Sequence, residues 1–395
     1  MTIDDLSKLL AECGEAGRAV NIAGANTLSG MGLPGDHTAK QLSTLKLDEI
    51  VEDAPSDLTI AVQSGVRVRT LQHTLARSGT HVPLDAPRAS DATVGGTLAS
   101  GWLGPRRHLY GRSRDFVIGS VCVLADGTIV RAGGMVVKNV AGYDLSRLYV
   151  GSFGTLAVLA QANLKTLPLP SAVRAFTMRM PEGTRERAIA QLQALTIVPA
   201  AAFWIDGFKN AIDGEEGDDG RLFIMLEGSA AVVDRATRDL RSAIGRAGIP
   251  ETKIIDAGAR EAFERVVDTY VAAIGERSIT YRIAAYTDDG ITRLTNLIAL
   301  AKRFELRHDA IFDVMNGDIV LRVSDLDALA LGAKLEIFDD ALHDEEPQAI
   351  VIAGKHPNRS LLNVWGAPPA TIDRMRAIKK QFDPKGILNP GRFLV

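Results

Sequence analysis

Two glycine-rich stretches of this chain combine small residues with hydroxyl and amide side chains, a composition that suits a bound phosphate group. The first is 24–30 (GANTLSG), directly after the apolar run 18–23, and the second is 93–101 (TVGGTLASG). Glycine lets the backbone approach a ligand closely, and successive N–H groups in such turns form concave anion sites. Tight turns in a β domain without a ligand have the same composition. The residues alone therefore leave both interpretations open.

The histidines and cysteines show no pattern that would bind a metal. His308, His343 and His356 stand singly and lack ligand spacing. The two cysteines, Cys13 and Cys122, cannot supply the four thiolates of an iron–sulfur cluster. They also give no disulfide framework, which fits a reducing compartment. We therefore predict that this chain has no metal site.

Short helices and strands must position the glycine-rich stretches. Apolar residues at helical spacing open the chain, and strand-like runs separate the later turns. The patterns predict helices over 2–17 and 68–79, and strands over 18–23, 58–63, 117–124, 128–132 and 156–165. Twelve of the 37 glycines fall in the 85 residues from 83 to 167, so the chain turns often in that part.

A proline-flanked linker at 168–170 marks a domain boundary. Beyond it, strands and helices alternate in the order strand, helix, strand, strand, helix, strand, repeated about twice, which predicts a sheet with helices on one face. The predicted strands are 174–180, 201–206, 222–227, 278–286, 310–316, 319–323 and 349–353, and the predicted helices are 182–194, 231–248, 291–304 and 326–341.

Composition excludes several classes of function. The formal net charge of −3 gives no basic field for nucleic acid and no polybasic membrane patch. The N-terminal sequence MTIDDLSKLL carries acids where a secretory signal carries bases before an apolar core. No apolar run approaches the roughly 20 residues of a membrane span. We expect a cytoplasmic protein, or one held at the inner membrane only through its partners.

The order of the segments, more than any one of them, resembles the FAD-binding domain of the vanillyl-alcohol-oxidase / p-cresol-methylhydroxylase (PCMH) flavoproteins. The resembling segments are 24–30, 93–96, 99–101, 110–111, 114–115, 124–128, 138–139, 142–145 and 151–156, with a terminal match at 382–392. The resemblance implies an α+β fold: a two-lobed PCMH-type FAD-binding domain followed by an α+β cap domain with a largely antiparallel sheet. The expected domains are 1–168 and 171–365, with 366–395 as a C-terminal helix and tail that returns to the FAD domain.

The resemblance also assigns the residues that would contact FAD. They are Gly24, Ala25, Asn26, Thr27, Leu28, Pro83, Asp85, Thr93, Val94, Gly95, Gly96, Ala99, Ser100, Gly101, Arg106, Tyr110, Gly111, Lys138, Gly142, Tyr143, Gly154, Thr155, Val158 and Asn389. Many relatives attach FAD covalently through a histidine in the first glycine-rich loop. This chain has Asn26 and no histidine there, so we expect non-covalent FAD.

Within the family, the chain is most similar to the smaller FAD-binding subunit of bacterial glycolate oxidase. The catalytic subunits of the neighbouring branch typically carry a glutamate where this chain has Phe153, and a histidine-rich metal cluster in the cap domain. The corresponding stretch here, 314–322, contains no histidine. The comparison therefore also predicts that the metal site is absent.

Arg282 is the one candidate for holding a substrate carboxylate, because a guanidinium binds a carboxylate in a bidentate manner. A strand over this segment would place Thr280, Arg282 and Ala284 on one side. An exposed arginine on an edge strand is the alternative. Oxidation of a 2-hydroxy acid also needs a base, and the sequence offers no convincing one; His73 and His81 are each better explained as structural.

Three functions are compatible with this sequence. The first is the FAD-binding subunit of a 2-hydroxy-acid (glycolate-type) dehydrogenase complex, which relays electrons from substrate through flavin to a partner iron–sulfur subunit and works beside a homologous FAD-containing catalytic subunit. The second is a free-standing, D-lactate-like FAD-dependent dehydrogenase. The third is a structural FAD-binding subunit without redox turnover. Intact FAD loops without a metal cluster favour the first.

Overall fold

The computed structural model describes residues 1–136, 143–179, 185–196, 198–208, 211–212, 220–248, 253–272, 277–325, 333–355 and 359–395. The chain divides into two compact units. Unit 1 comprises Met1–Gly104, Tyr110–Leu169 and Pro368–Val395, and unit 2 comprises Pro105–Leu109 and Pro170–Ala367. The terminal segment therefore belongs to unit 1. No helix in the described part of the chain is both long and apolar enough to cross a membrane.

Unit 1 contains two parts of the chain that are far apart in sequence. Its elements are α1 (Ile3–Glu15), β1 (Val20–Ala23), β2 (Lys40–Ser43), β3 (Ile50–Ala54), a 3₁₀ turn (Pro55–Asp57), β4 (Thr59–Gln63), α2 (Val68–Arg77), β5 (Thr80–His81), α3 (Val94–Ala99), α4 (Arg107–Tyr110, which begins in unit 2), α5 (Ser113–Phe116), β6 (Val117–Val123), β7 (Ile129–Gly133), α6 (Leu145–Tyr149), β8 (Val158–Lys165), β9 (Leu167–Pro168) and the C-terminal helix Ile372–Phe382.

An antiparallel sheet of five strands in the order β3-β4-β8-β6-β7 forms the centre of unit 1. Apolar residues on α2, α3 and the sheet form one core, and α1 packs in a second core that also includes Ile387 and Leu388. β1 and β2 form a separate parallel pair. Helix α1 begins with a capping box, in which Thr2 and Asp5 each accept the other's backbone N–H, so the helix begins at a defined residue.

The terminal segment of the chain adds to the β1–β2 pair. Val20 and Leu388 form a parallel bridge, and the Asn389 amide donates to the Val20 carbonyl at 2.9 Å. The buried Asp383 carboxylate fixes the turn before this bridge, since it accepts from the amides of Ile387 (3.0 Å) and Leu388 (2.8 Å). Residues 383–389 therefore form part of the same structure as the first strand.

Unit 2 is built on one antiparallel sheet of eight strands. Its elements are β10 (Ala172–Arg179), α7 (Arg185–Gln193), β11 (Ala201–Asp206), β12 (Arg221–Gly228), α8 (Ala230–Ala247), β13 (Lys253–Ile255), α9 (Ala259–Thr269), β14 (Ser278–Ala284), α10 (Gly290–Arg303), β15 (Arg307–Asp313), β16 (Asp318–Ser324), α11 (Ala333–Glu345), β17 (Ile350–Lys355) and a 3₁₀ turn (Arg359–Leu361). The C-terminal helix Ile372–Phe382, which belongs to unit 1, is numbered α12. The strand order is β13-β10-β12-β11-β15-β16-β14-β17. The predicted α+β fold with a largely antiparallel sheet is confirmed.

The four helices predicted for this part of the chain lie on one face of the sheet where they are described, and an unpredicted fifth helix, α9, packs on the other face. Phe203 of β11 stacks on Phe263 of α9, with ring centroids 6.2 Å apart. The next residue, Trp204, points to the opposite face, where the guanidinium of Arg185 at the start of α7 lies 5.6 Å from the ring centroid. Helix α9 was not predicted at all, although its buried residues recur at helical spacing.

We predict that Asp383→Ala destabilises unit 1 by about 3 kcal/mol, because it removes a buried acceptor of two backbone amides and leaves Lys379 without its carboxylate, 2.5 Å away. Thermal and urea unfolding of the purified protein measure the loss. The control is Asp373→Ala, which removes a 91%-exposed carboxylate on the same helix and should change stability by less than about 0.5 kcal/mol. Equal effects of the two substitutions would contradict the structural role of Asp383.

Candidate functional site: a dinucleotide pocket and a charged cluster

A cavity of about 310 Å³ lies in unit 1 beside the loop that follows β1. Its walls come from four stretches that are distant in sequence: the end of β1 with its loop, α3, the turn at 153, and the terminal tail. The lining residues are Asn21, Ile22, Ala23, Gly24, Ala25, Asn26, Thr27, Leu28, Ser29, Pro34, Gly35, Gln41, Thr93, Gly96, Ala99, Ser100, Phe153, Asn389 and Arg392. The volume is at the lower end of the range for ligand pockets, so it suits part of a dinucleotide.

The loop after β1 presents backbone N–H groups to this cavity. Among the residues that the structure describes, no acceptor is bonded to the amides of residues 24–28, all of which line the cavity. Asn26 has a φ of 58°, in the left-handed region, where asparagine is tolerated better than most residues. Turns of this kind orient several N–H groups towards one point, which is the geometry that binds phosphate oxygens. The loop therefore has the donors that an anionic ligand needs.

The two glycine-rich stretches meet at the edge of the cavity. A Cβ atom added to Gly24 would lie only 2.2 Å from the Oγ1 atom of Thr93, so the close approach of these loops requires glycine. Thr93 caps α3, and its Oγ1 accepts from the Gly96 amide at 3.1 Å. A Cβ on Gly96 would meet nothing but Thr93 Oγ1, at 3.0 Å, within 4 Å. The remaining space beside Gly96 is therefore open to a ligand.

Two residues of the terminal tail hold the cavity walls in place. The Asn389 side chain accepts from the Ile22 amide and donates to the Phe153 carbonyl, both at 2.6 Å. The Arg392 guanidinium donates to the carbonyl of Leu33 at 2.6 Å and also to those of Leu28 (3.1 Å) and Ser29 (3.2 Å). These contacts make Asn389 and Arg392 positioning residues for the loop after β1.

Comparison with known proteins agrees with this geometry. A family model described as "FAD binding domain" matches residues 1–133, and one described as "FAD linked oxidases, C-terminal domain" matches residues 365–393. These two ranges include both glycine-rich stretches and the tail residues that hold the cavity. The chain is a flavoprotein that carries both of these domains. It is thus a member of an FAD-dependent oxidoreductase family, and FAD is its cofactor.

Relatives and solved structures extend this likeness over nearly the whole chain. Glycolate oxidase subunit GlcE of Escherichia coli (strain K12) is 29% identical over 378 residues, covering 94% of this chain and 91% of that protein. Glycolate oxidase subunit GlcD of Bacillus subtilis (strain 168) is 25% identical over 423 residues, covering 98% and 86%. The crystal structure of p-cresol methylhydroxylase with substrate bound superposes with a TM-score of 0.75 at 16% identity, covering 99% of this chain and 87% of that one, which establishes the fold.

The cavity of this flavoprotein fits the phosphate portion of FAD. Loop amides 24–28 would hold the pyrophosphate, and the hydroxyls of Thr27 and Ser29 are further donors beside them. When bound, FAD supplies a two-electron acceptor. The chain's own residues supply the anion site.

The structure brings ten of the sequence-predicted FAD contacts to the cavity and leaves the others elsewhere. At the cavity are Gly24, Ala25, Asn26, Thr27, Leu28, Thr93, Gly96, Ala99, Ser100 and Asn389. Away from it are Pro83, Asp85, Val94, Gly95, Gly101, Arg106, Tyr110, Gly111, Tyr143, Gly154, Thr155 and Val158, and Lys138 and Gly142 lie outside the described residues. Phe153 and Arg392 line the cavity without having been predicted, although both stand inside motifs that the sequence singled out.

Several of the residues away from the cavity have clear structural partners. The Asp85 carbonyl accepts from the Trp102 indole at 3.0 Å. The Arg106 guanidinium donates to both oxygens of Glu227 at 3.1 Å and lies 5.4 Å from the Phe263 ring centroid, all within unit 2. A contact of these side chains with FAD stays a prediction.

The predicted carboxylate-binding residue, Arg282, lies in a charged cluster on the sheet of unit 2. It is 9% exposed, and its strand β14 is flanked by β16 and β17, so the alternative of an exposed edge arginine is wrong. Arg282 contacts the carboxylate of Asp318. Arg107 approaches the same carboxylate, with Nη2 2.7 Å from Oδ2 of Asp318. Two guanidiniums therefore converge on one acid.

Asp313 in this cluster is a candidate base that the sequence did not reveal. It is the last residue of β15, and its carboxylate accepts from the Asn316 side chain at 2.7 Å, while Arg107 Nη1 lies 3.8 Å away. Burial raises the pKa of Asp313 to about 7, with the nearby Arg107 opposing the rise and Asp318 adding to it. A carboxyl with this pKa can accept a proton near neutral pH.

Other candidates for metal or proton chemistry have no such surroundings. Within the described ranges, no three His, Cys, Asp or Glu side chains are grouped as metal ligands. His73 lies exposed on α2, and the buried His81 ring packs edge-on against Tyr110 at 5.4 Å. The absence of a metal from the functional protein remains a prediction.

We predict that Gly96→Val lowers FAD affinity at least about tenfold without unfolding the apoprotein, because its branched side chain enters the space beside the loop. Fluorescence titration of apoprotein with FAD measures affinity, and thermal unfolding measures stability. Gly95→Val should instead destabilise the apoprotein, since its Cβ would lie 2.5 Å from that of Ser64. Gly245→Val, at a glycine with no atom within 4 Å of an added Cβ, is the control. Wild-type affinity in the Gly96 variant would show that the cavity does not hold FAD.

We predict that the FAD is non-covalent, because Asn26 occupies the loop position where many family members carry a linking histidine. Acid precipitation of the purified protein should release all flavin absorbance into the supernatant. Flavin that stays with the denatured pellet, and adds its mass to a peptide, would refute this expectation.

Proposed function

We propose that this chain is the FAD-binding subunit of a 2-hydroxy-acid dehydrogenase complex. In this role it passes electrons from a small 2-hydroxy acid, through its flavin, to a partner iron–sulfur subunit. Two relatives that cover over 90% of this chain are named as glycolate oxidase subunits, and others as D-lactate and D-2-hydroxyglutarate dehydrogenases. Their shared substrate class is the reason for proposing a 2-hydroxy acid.

The observation that carries this proposal is the cavity of unit 1. Its five loop amides without a described acceptor, and the tail residues that position them, provide a built site for the cofactor that such a dehydrogenase requires. Nothing comparable supports a nucleic-acid or membrane function in a chain of net charge −3.

The proposal places the iron–sulfur cluster in a partner because this chain's own cysteines cannot hold one. Its only cysteines, Cys13 and Cys122, are both buried, and burial raises the pKa of the Cys122 thiol to about 12. An iron–sulfur cluster needs several accessible thiolates. An iron–sulfur subunit beside a homologous FAD-containing catalytic subunit would complete the path.

The charged cluster of unit 2 favours a second candidate, a free-standing dehydrogenase with its own substrate site. Arg282 and Arg107 would hold the substrate carboxylate, and Asp313 would take the hydroxyl proton. The same cluster is compatible with the first proposal if the substrate reaches this subunit inside the complex. Kinetics of the isolated chain separate the two.

We predict that the isolated FAD-loaded chain is not reduced by glycolate or D-lactate, with or without zinc or manganese, whereas its flavin is reduced when the chain is co-expressed with its partners. The described residues contain no metal-ligand set, and the proposed electron path runs through other subunits. Anaerobic stopped-flow absorbance at the flavin band measures both reactions, and dithionite is the positive control.

Two other results of this experiment would contradict the prediction. Rapid bleaching of the isolated protein by either acid, abolished in Asp313→Asn, would establish the free-standing dehydrogenase and reject the relay. Bleaching in neither the isolated chain nor the complex would reject 2-hydroxy-acid oxidation through this flavin and favour a structural role for the FAD.

A further inference from the structure

The contacts of Arg282 differ from those of the other buried arginine on the same sheet face. Every guanidinium nitrogen of Arg322 donates a hydrogen bond. Nε and Nη2 donate to Asp309 at 2.9 and 2.8 Å, and Nη1 donates to the Ala272 carbonyl at 2.9 Å. Its guanidinium also lies 4.2 Å from the ring centroid of Phe208. This pair has the geometry of a structural ion pair, with every donor nitrogen satisfied.

Arg282, in contrast, has a single acceptor. Among the described residues, Arg282 donates only to Asp318, through Nη2. Its other guanidinium nitrogens are not among the buried polar atoms that lack a hydrogen-bond partner. The side chains of Arg282, Asp318 and Arg107 are 10%, 10% and 13% exposed, so a small solute can reach them. Arg282 therefore retains donors for an anion from solution.

One oxygen atom of Asp318 contacts both guanidiniums. Arg107 Nη2 lies 2.7 Å from Oδ2 of Asp318, and Arg282 contacts the same atom. The two arginines come from different parts of unit 2, the segment Pro105–Leu109 and strand β14, and the first residue of β16 links them. A carboxylate between two guanidiniums is also the arrangement in which arginines bind a carboxylate ligand.

We propose that Asp318 is an intramolecular competitor, which occupies the Arg282–Arg107 pair until the carboxylate of a small ligand displaces it. Asp318 is the more accessible of the two acids, with its side chain 10% exposed against 6% for Asp309, and Asp309 is held by two nitrogens of Arg322. The proposal rests on the proposed function for the identity of the ligand, a small 2-hydroxy acid, but not for the binding of a carboxylate.

The neighbouring Asp313 supports this role for the pair. Because burial raises its pKa to about 7, Asp313 carries less than a full negative charge at neutral pH. Two arginines then face little more than the single charge of Asp318, and the cluster keeps a positive potential that attracts an anion.

The test is the binding of oxalate, a redox-inert dicarboxylate, to the FAD-loaded protein by isothermal titration calorimetry. Asp318→Asn keeps the side-chain shape but removes the competing charge, so we expect oxalate to bind roughly tenfold more tightly than to wild type. Arg282→Gln should abolish the binding. Asp309→Asn is the matched control, which should lower thermal stability and leave oxalate affinity unchanged.

Unchanged or weaker oxalate binding in a folded Asp318→Asn protein would overturn the proposal, as would an equal gain in Asp309→Asn. If Asp318→Asn does not fold, the wild-type protein is instead treated with phenylglyoxal, which modifies arginines. The modified peptides are identified by mass spectrometry. Oxalate should protect Arg282 from modification, and labelling of Arg282 at the same rate with oxalate present would overturn the proposal. Because none of these measurements involves flavin reduction, they can succeed where the proposed dehydrogenase activity fails.

Discussion

The hydrogen bonds between the terminal tail and the first strand are the interaction on which the FAD site depends. Asn389 joins the Ile22 amide to the Phe153 carbonyl, and Arg392 holds the carbonyls of the following loop. By engaging these carbonyls, the tail leaves the loop amides to face the cavity. A backbone anion site of this kind works only when the loop is rigid, because each amide must be oriented before the ligand arrives.

Ten of the predicted FAD contacts line one cavity, and the local sequence could indicate them because that cavity wall consists mainly of backbone. Where a loop must approach another closely, as at Gly24 beside Thr93, the need for glycine is visible in the residue type itself. The roles of Phe153 and Arg392 were less visible. Their contacts join residues over two hundred positions apart, and no local pattern reveals which distant carbonyl a guanidinium will reach.

The charged cluster of unit 2 was harder to predict, and the reason lies in one strand boundary. The sequence pattern extended a strand over 310–316, whereas β15 ends at Asp313 and residues 314–317 form the turn before β16. A pattern that puts an acid in the middle of a strand indicates only a buried polar residue, but the same acid at a strand end can be held by the turn, as Asn316 holds Asp313. Arg107 was missed because it approaches from a segment just over 200 positions away.

The terminal tail also determines when during synthesis the cofactor site can exist. One bond that shapes the cavity joins residues 367 positions apart, and almost all of unit 2 lies between them in the chain. The loop after β1 is therefore made early but cannot take its final form until unit 2 has left the ribosome. Contacts between residues so far apart in sequence form slowly. FAD uptake by this flavoprotein is in consequence a late event, and in a nascent chain β1 can pair with β2 but not with Leu388 until the tail arrives.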